Sequence, residues 1–245
     1  MLPVIQLGPV SLQAPGLFVI IAVWVGITLT ERNASQHKLS ADTLSNLIMI
    51  ALVAGVLGGR IAYVARFPDA FAGNLGSIVS LNPGLFDMTG ALAAALISAL
   101  VYGQRQKLPL LPTLDALVPF FGMLAIGMAL SNFASGNAFG METDLPWGIE
   151  LWGAKRHPTQ VYEMLAAFVT LNLVYPPKAD AKSQAGFSFA TFIAITAGYR
   201  LFLEAFRGDS TLIFGSIRAA QLLMFIVMAA AFWAIDTIKT KKNTK

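Results

Sequence analysis

The sequence predicts an all-α integral membrane protein with seven transmembrane helices, its N-terminus outside and its C-terminus cytoplasmic. Three observations carry that prediction. Of 245 residues, 56% are hydrophobic and only 12% charged, with a mean hydropathy of +0.66, whereas soluble domains carry about 25% charged residues. Seven apolar stretches approach the roughly 20 residues that a helix needs to cross a bilayer core of about 30 Å. Lys and Arg also fall unevenly between the loops, and cytoplasmic loops carry the positive excess.

The seven stretches lie near residues 14–30, 44–66, 85–102, 112–130, 159–175, 186–206 and 214–238. The loops after the first, third, fifth and seventh hold Arg32, Lys38, Arg105, Lys107, Lys178, Lys182, Lys239, Lys241, Lys242 and Lys245. The opposite loops hold only Arg66, Lys155, Arg156 and Arg207, which leaves Arg60, Arg200 and Arg218 within or near spans. No charge precedes the first stretch and no small-residue cleavage site follows it, so it reads as a retained span and not as a signal peptide. No internal repeat or interdomain linker interrupts the pattern, which predicts one polytopic domain over residues 1–245. Its longest break, 131–158, is rich in Asn, Ser and Gly and carries Trp147 and Trp152. Irregular backbone at membrane depth survives only where protein or water satisfies its amides, so this segment is expected to line a cavity on the outer face.

Composition also excludes several functions. The isoelectric point near 9.4 invites a nucleic-acid reading, but the basic residues are dispersed over loop ends and the KTKKNTK tail, as topology and anionic headgroups require. Nucleic acid is not an expected partner. There is no cysteine, hence no disulfide, thiolate metal site or protein-supplied thiol nucleophile. Two distant histidines, His37 and His157, build no metal site, and no cofactor is expected. A transporter would show inverted repeats with broken helices in matching halves, and none is visible.

An ionised side chain at the bilayer centre costs about 2.5–3.5 kcal/mol on insertion scales, so intramembrane charges are usually paired, turned inward and functional. Arg200, Glu204 and Arg207 stand at i, i+4 and i+7 in a span-like stretch, a spacing that places them on one helical stripe. Two readings are open: a structural Arg–Glu pair, or a cradle in which Glu204 orients a guanidinium toward a phosphate, a group that the planar fork of arginine suits. In the second span Gly58 and Gly59 permit close helix approach, and Arg60 lies one turn from Tyr63. Arg60 either packs against carbonyls or snorkels, or it shares an anionic ligand, most simply a phospholipid. Asn132, Ser135 and Asn137 offer neutral donors and acceptors around Gly136, suited to a glycerol or headgroup hydroxyl and equally at home in a turn. His37 reads as solvated surface. His157, just before Pro158 opens a helix, reads as a cap or hinge.

The segments GGRIAYV, SNFASGNAFG with TDLPW, RHPTQVYE, YRLFLEAFR and GSIRAAQ, in that order, resemble the prolipoprotein diacylglyceryl transferases over roughly residues 12 to 238. The resemblance implies a seven-span enzyme of the bacterial inner membrane that moves a diacylglyceryl group from phosphatidylglycerol to the lipobox cysteine of a lipoprotein precursor. The thiol then comes from the substrate, which suits a chain without cysteine. The family's functional positions match Arg60 and Tyr63 in span two, Asn132, Gly136 and Gly140 after span four, and Arg200, Glu204 and Arg207 in and after span six.

Other family positions are replaced. A His-Gly-Gly run becomes Thr89, Gly90 and Ala91; an essential arginine becomes Ala129; the signature glutamate becomes Asn137; an asparagine becomes Ser135; and a tyrosine near the start of span one becomes Pro15. The reaction needs a thiolate, and a free thiol has a pKa near 8.5. Thr89 cannot generate it; Asp87 is the remaining candidate base, provided that it turns inward and burial raises its pKa. General-base help is typically worth 10²–10⁴-fold, and a lost phosphate donor costs about 2.7–4 kcal/mol by analogy with oxyanion holes. The expected protein binds phosphatidylglycerol-type phospholipid through Arg60, Tyr63, Asn132, Asn137, Arg200, Glu204 and Arg207. Candidate catalytic residues are Arg200, Asp87 and Asn132. Lipoprotein diacylglyceryl transfer is expected to be weak, altered or lost. The alternative is a non-catalytic paralogue that serves as a lipid- or lipoprotein-binding chaperone, sensor or complex subunit.

Overall fold

The computed structural model describes residues 4–7, 10–73, 75–79, 85–176, 184–213 and 215–243. Lys178, Lys182 and Lys245 of the topology count lie outside the described residues. Helices occupy all seven predicted stretches: α1 Ala14–Ala34, α2 Ala41–Arg66, α3 Met88–Arg105, α4 Leu110–Ala116 continued by α5 Val118–Ser135, α6 Thr159–Val174, α7 Phe187–Leu203 and α8 Ala219–Asn243. Among the described residues, five segments are long and apolar enough to cross a membrane: Ala14–His37, Ala41–Arg66, Val118–Ser135, Phe187–Phe206 and Ala219–Thr240. The 16 residues of α6 fall short of the roughly 20 that a perpendicular span needs.

Local chemistry sets the ends. Ser40 caps α2 by accepting from Thr43 N, and Asp87 caps α3 by accepting from Gly90 N at 2.8 Å, as helix N-termini demand. Pro119 sits in the first turn of α5, where its missing N–H costs nothing. The helix ends at Gly136, whose φ of +78° is a glycine conformation.

Helix α1 packs on α5, α5 on α6, α6 on α7, and α7 on α8, while α2 and α3 form a hairpin against one another. Gly58 and Gly59 permit close approach there, as expected. A Cβ on Gly59 would lie 2.9 Å from Ala91 Cβ and 3.1 Å from Asp87 O, and one on Gly58 would overlap Ala94. At the end of the bundle that holds the start of α7, the buried Asp115 carboxylate accepts from Gly186 N at 2.6 Å and Phe189 N at 2.8 Å. Asn33 Nδ2 donates to the carbonyls of Asp115 and Ala116. One carboxylate and one amide thus pin α1, α4 and α7 together. His37 corrects its expectation: it is half-buried, with its Nε2 shielded from solvent, because the 3-10 turn Ser35–His37 packs on α4.

The all-α expectation needs a second correction. Among the described residues, three short antiparallel hairpins accompany the helices: β1 Val4–Leu7 with β2 Val10–Gln13, β3 Ile149–Leu151 with β4 Ala154–Arg156, and β5 Leu212–Ile213 with β6 Ile217–Arg218. The last two fall between helices, where the backbone has no helical partners and must find others. They build the site.

Candidate functional site

Residues 136–157 form an ordered cap over the ends of α5, α6 and α7. The turn after α5 is fastened to the first turn of α6: Thr159 Oγ1 donates to Ala138 O and Gln160 Nε2 to Asn137 O, both at 2.7 Å. Ser135 Oγ donates to Asn132 O and accepts from Asn137 N. Trp152, at the tip of the β3–β4 hairpin, donates its indole N–H to Gly136 O at 3.0 Å. The chain from 139 to 143 then runs between two neighbours. On one side Met141 N donates to Phe206 O (2.8 Å) and Gly208 N to Phe139 O (2.9 Å); on the other, His157 N donates to Met141 O (3.0 Å) and Thr143 N to Lys155 O (2.9 Å). With β3 and β4 this makes a small antiparallel sheet in place of the irregular loop expected from composition. Gly140 has no room for a side chain, since a Cβ there would overlap His157 O.

That sheet ends the stripe Arg200, Glu204, Arg207. Helix α7 stops at Leu203, Glu204–Phe206 form a 3-10 turn, and Arg207 is extended, bridged to Gly140. Its backbone joins the sheet and cannot continue the helix. The Arg207 guanidinium is held by carboxylates: Nε and Nη2 donate to the two oxygens of Asp209, each at 2.9 Å, Nη1 to Glu163 Oε1 at 3.4 Å, and Glu204 Oε2 lies 3.8 Å from Nε. Glu163 and Glu204 are only 7% and 8% exposed, and removing one partner of such a buried pair typically costs about 3–5 kcal/mol. Ser210 Oγ donates to Glu204 Oε1 at 2.7 Å. Arg218 Nη1 donates to Ser210 Oγ at 2.6 Å and to the carbonyls of Glu204 and Arg207 at 2.7 Å.

Arg200, on the last turn of α7, is exposed. It makes no hydrogen bond or ion pair with any described residue, although arginines nearby in the cap are committed. Arg156, for instance, donates to Leu151 O, Gly140 O and Glu142 Oε1 and lies over the Phe139 ring.

A family model described as prolipoprotein diacylglyceryl transferase matches residues 3–236. The phosphatidylglycerol–prolipoprotein diacylglyceryl transferase of Finegoldia magna is 32% identical over 232 residues, 93% of this chain and 91% of the relative. The chain belongs to the prolipoprotein diacylglyceryl transferase family. Proteins of the same name from Synechococcus elongatus (27% over 243 residues, 92% of this chain and 83% of the relative) and Clostridioides difficile (27% over 235 residues, 93% and 91%) also match.

The diacylglyceryl transferase positions fall into separate groups. Glu204 and Arg207 belong to the cap network just described. Asn132 and Asn137 share the α5 turn, with Asn137 exposed. Arg60, 8% exposed, is instead committed to the chain that joins α2 and α3. It donates to the carbonyls of Ile78 and Leu85, each at 2.7 Å, and of Ser77, and lies 5.2 Å from the Phe71 ring centre. Tyr63 packs on Phe67 and Phe71. Thr89 is exposed and Ala129 only 2% exposed.

The condition for Asp87 as a base is not met. Both of its carboxylate oxygens are engaged, Oδ1 by the Gly90 N–H that it caps at 2.8 Å and Oδ2 by Arg66 at 3.1 Å, so it is not a free base turned toward a thiol. Sequence reasoning missed Glu163, Gln160, Asp209, Ser210 and Arg218 as parts of this site. For Glu163 and Arg218 the signal was there: each is an ionisable residue inside or beside an apolar stretch. The others enter through chain reversals that spacing along one helix does not reveal.

Proposed function

We propose that the chain is a seven-span protein of the bacterial inner membrane, its N-terminus outside, that holds phosphatidylglycerol-type phospholipid at Arg200. The lipoprotein diacylglyceryl transfer of its relatives is weak, altered or lost in it. The observation that carries this reading is the Arg200 guanidinium, exposed and without a partner among the described residues. A guanidinium at the end of an apolar helix, with its donors unspent, is built for a phosphate oxygen at headgroup depth. Asn132, in the last turn of α5, and Asn137, just past its Gly136 cap, supply donors and acceptors for a headgroup hydroxyl. Glu204 and Arg207 frame the site, and Arg60 and Tyr63 hold the α2–α3 connection beside the bundle. Helices in all seven apolar stretches support the seven-span count, with the shorter α3 and α6 completing the five long spans. The chain forms one domain, with prolipoprotein as the acceptor partner where transfer survives.

Transfer would form a bond between the substrate's sulfur and the diacylglyceryl carbon and break that carbon's bond to phosphate, so that glycerol phosphate leaves and the thiol proton passes to a base. Arg200 serves the leaving phosphate. The base is the weak half: the Thr89 hydroxyl keeps its own proton at neutral pH and takes none from a thiol, and Asp87 is spent on Gly90 and Arg66. The same commitment of Asp87 favours the second reading, a non-catalytic paralogue that binds lipid or lipoprotein. Incubating purified protein with labelled phosphatidylglycerol and a lipobox peptide separates the two. Slow glycerol-phosphate release that Arg200→Ala abolishes supports transfer, and retained lipid without release supports the paralogue. If neither release nor lipid retention depends on Arg200, both readings fall.

A further inference from the structure

Arg200 and Glu204 are spaced i, i+4, the separation at which opposite charges on a helix meet. They nonetheless form no ion pair. The reason lies in the chain that follows. Glu204 opens the 3-10 turn after α7, and its carboxylate accepts from Ser210 Oγ at 2.7 Å while facing Arg207 at 3.8 Å. Ser210 is itself fixed by Arg218, which donates to its Oγ at 2.6 Å and, through the same Nη1, to the carbonyls of Glu204 and Arg207 at 2.7 Å. Arg218 is anchored in turn. It is the last residue of β6, paired to β5 across Leu212 and Ile213, Ala219 N donates to Thr211 O at 3.0 Å, and its Nη2 reaches Met141 Sδ at 3.4 Å.

We infer that Arg218 and Ser210 are positioning residues that form a latch: they draw the Glu204 carboxylate away from Arg200 and so keep the Arg200 guanidinium open to an anionic headgroup. This rests on the assignment of Arg200 to the lipid phosphate. Glu204 is the nearest competitor in sequence for that guanidinium. A phosphate and a carboxylate seek the same fork of donors. With the latch intact, Glu204 has a hydroxyl donor in Ser210 and a guanidinium in Arg207. Without it, the carboxylate loses its strongest neutral donor, its backbone is freed at the carbonyl, and the i, i+4 pair closes. Phosphate binding then has to displace an internal anion.

The test uses the full chain, titrated with phosphatidylglycerol and read by native mass spectrometry, with Arg200→Ala, Arg218→Ala and Ser210→Ala, and with Glu204→Gln added to each of the last two. Ser210→Ala removes one half-buried loop hydroxyl and stands in should Arg218→Ala fail to fold. The latch requires that Arg218→Ala and Ser210→Ala each weaken lipid retention about three-fold or more, the scale of an accessible ion pair. It also requires that Glu204→Gln restore retention in both backgrounds, because a neutral amide no longer competes as an anion. A merely structural role for Arg218 would leave the loss in place after Glu204→Gln. That outcome, or wild-type retention in both single variants, overturns the latch while Arg200→Ala still shows its loss. Wild-type retention by Arg200→Ala overturns the latch and the lipid assignment together.

Discussion

Replacing Gly140 by alanine tests whether the cap sheet holds the site together. The added Cβ would overlap the His157 carbonyl oxygen and lie 2.6 Å from His157 Cβ and 2.9 Å from its carbonyl carbon, where carbon atoms prefer about 3.5–4.0 Å. Two of these three neighbours are backbone, so no rotamer change relieves the clash, and residues 139–141 must separate from 157 by close to an ångström. Three hydrogen bonds depend on that strand position: His157 N to Met141 O, Met141 N to Phe206 O and Gly208 N to Phe139 O. At about 1 kcal/mol net each, with about 1–3 kcal/mol for the overpacking itself, the expected loss is about 4–6 kcal/mol. For a chain of this length each kcal/mol shifts the melting temperature by about 2–4 °C, so a fall of about 10 °C or more is expected in detergent. Tryptic cleavage after Arg156 and Arg207 should quicken as the strands part. Two glycines serve as controls. A Cβ at Gly153 meets nothing, but φ there is +78°, so alanine costs about 1 kcal/mol from the backbone alone. Gly103, inside α3 and equally open, should gain up to about 1 kcal/mol as alanine. If Gly140→Ala melted within 2 °C of Gly103→Ala with unchanged proteolysis, the inference that the cap is one cooperative sheet would be wrong.

Three further outcomes follow from the geometry. Asp115→Ala leaves Gly186 N and Phe189 N without their acceptor in a site 2% exposed; at about 1–3 kcal/mol per orphaned donor the melting temperature should fall markedly. Asp115→Asn keeps one acceptor and should lose about half as much, with amide exchange at residues 186–189 rising in step. Asp87 caps α3 through Gly90 N and pairs with Arg66, so Asp87→Ala should cost about 0.5–2 kcal/mol, the usual loss of a helix N-cap, read as a lowered melting temperature. Reinstating the family arginine is expected to be costly. Ala129→Arg places a long cation at a position 2% exposed and should lose about 1–3 kcal/mol or more, whereas Thr89→His and Asn137→Glu, at exposed positions, should stay within about 0.5 kcal/mol, all by thermal unfolding.

How much of this was legible in the sequence depends on the range of the interaction concerned. The helices were legible because bilayer thickness and apolar run length are local quantities: α1 and α6 begin where the hydrophobic runs begin, and α2 ends at Arg66 as expected. The close approach at Gly58 and Gly59 was legible for the same reason, since a missing side chain announces itself at its own position. What failed was the assumption that helical spacing persists. Arg207 lies seven residues from Arg200, but its backbone is claimed by Gly140, 67 positions away (207 − 140), and no periodicity encodes such a claim. His37 failed in the same way, its surroundings being set by α4 and not by its polar neighbours.

The sequence-level view of Arg200, Glu204 and Arg207 as three members of one cradle gives way to a division of labour with a physical logic. A guanidinium can serve a diffusing phosphate only if its donors are unspent, and a guanidinium near hydrocarbon is stable only if its charge is balanced. One arginine cannot satisfy both demands at once. Arg207 meets the second, surrounded by Glu163, Glu204 and Asp209, and it draws the carboxylate of Glu204 toward itself. Arg200 is left exposed at the helix end, with no ion pair to any described residue. Glu204, which looks by spacing like the partner of Arg200, is therefore better understood as a partner of Arg207. Its burial is what makes the separation stable: a carboxylate 8% exposed with a hydroxyl donor and a guanidinium in place gains little by reaching outward to a solvated one.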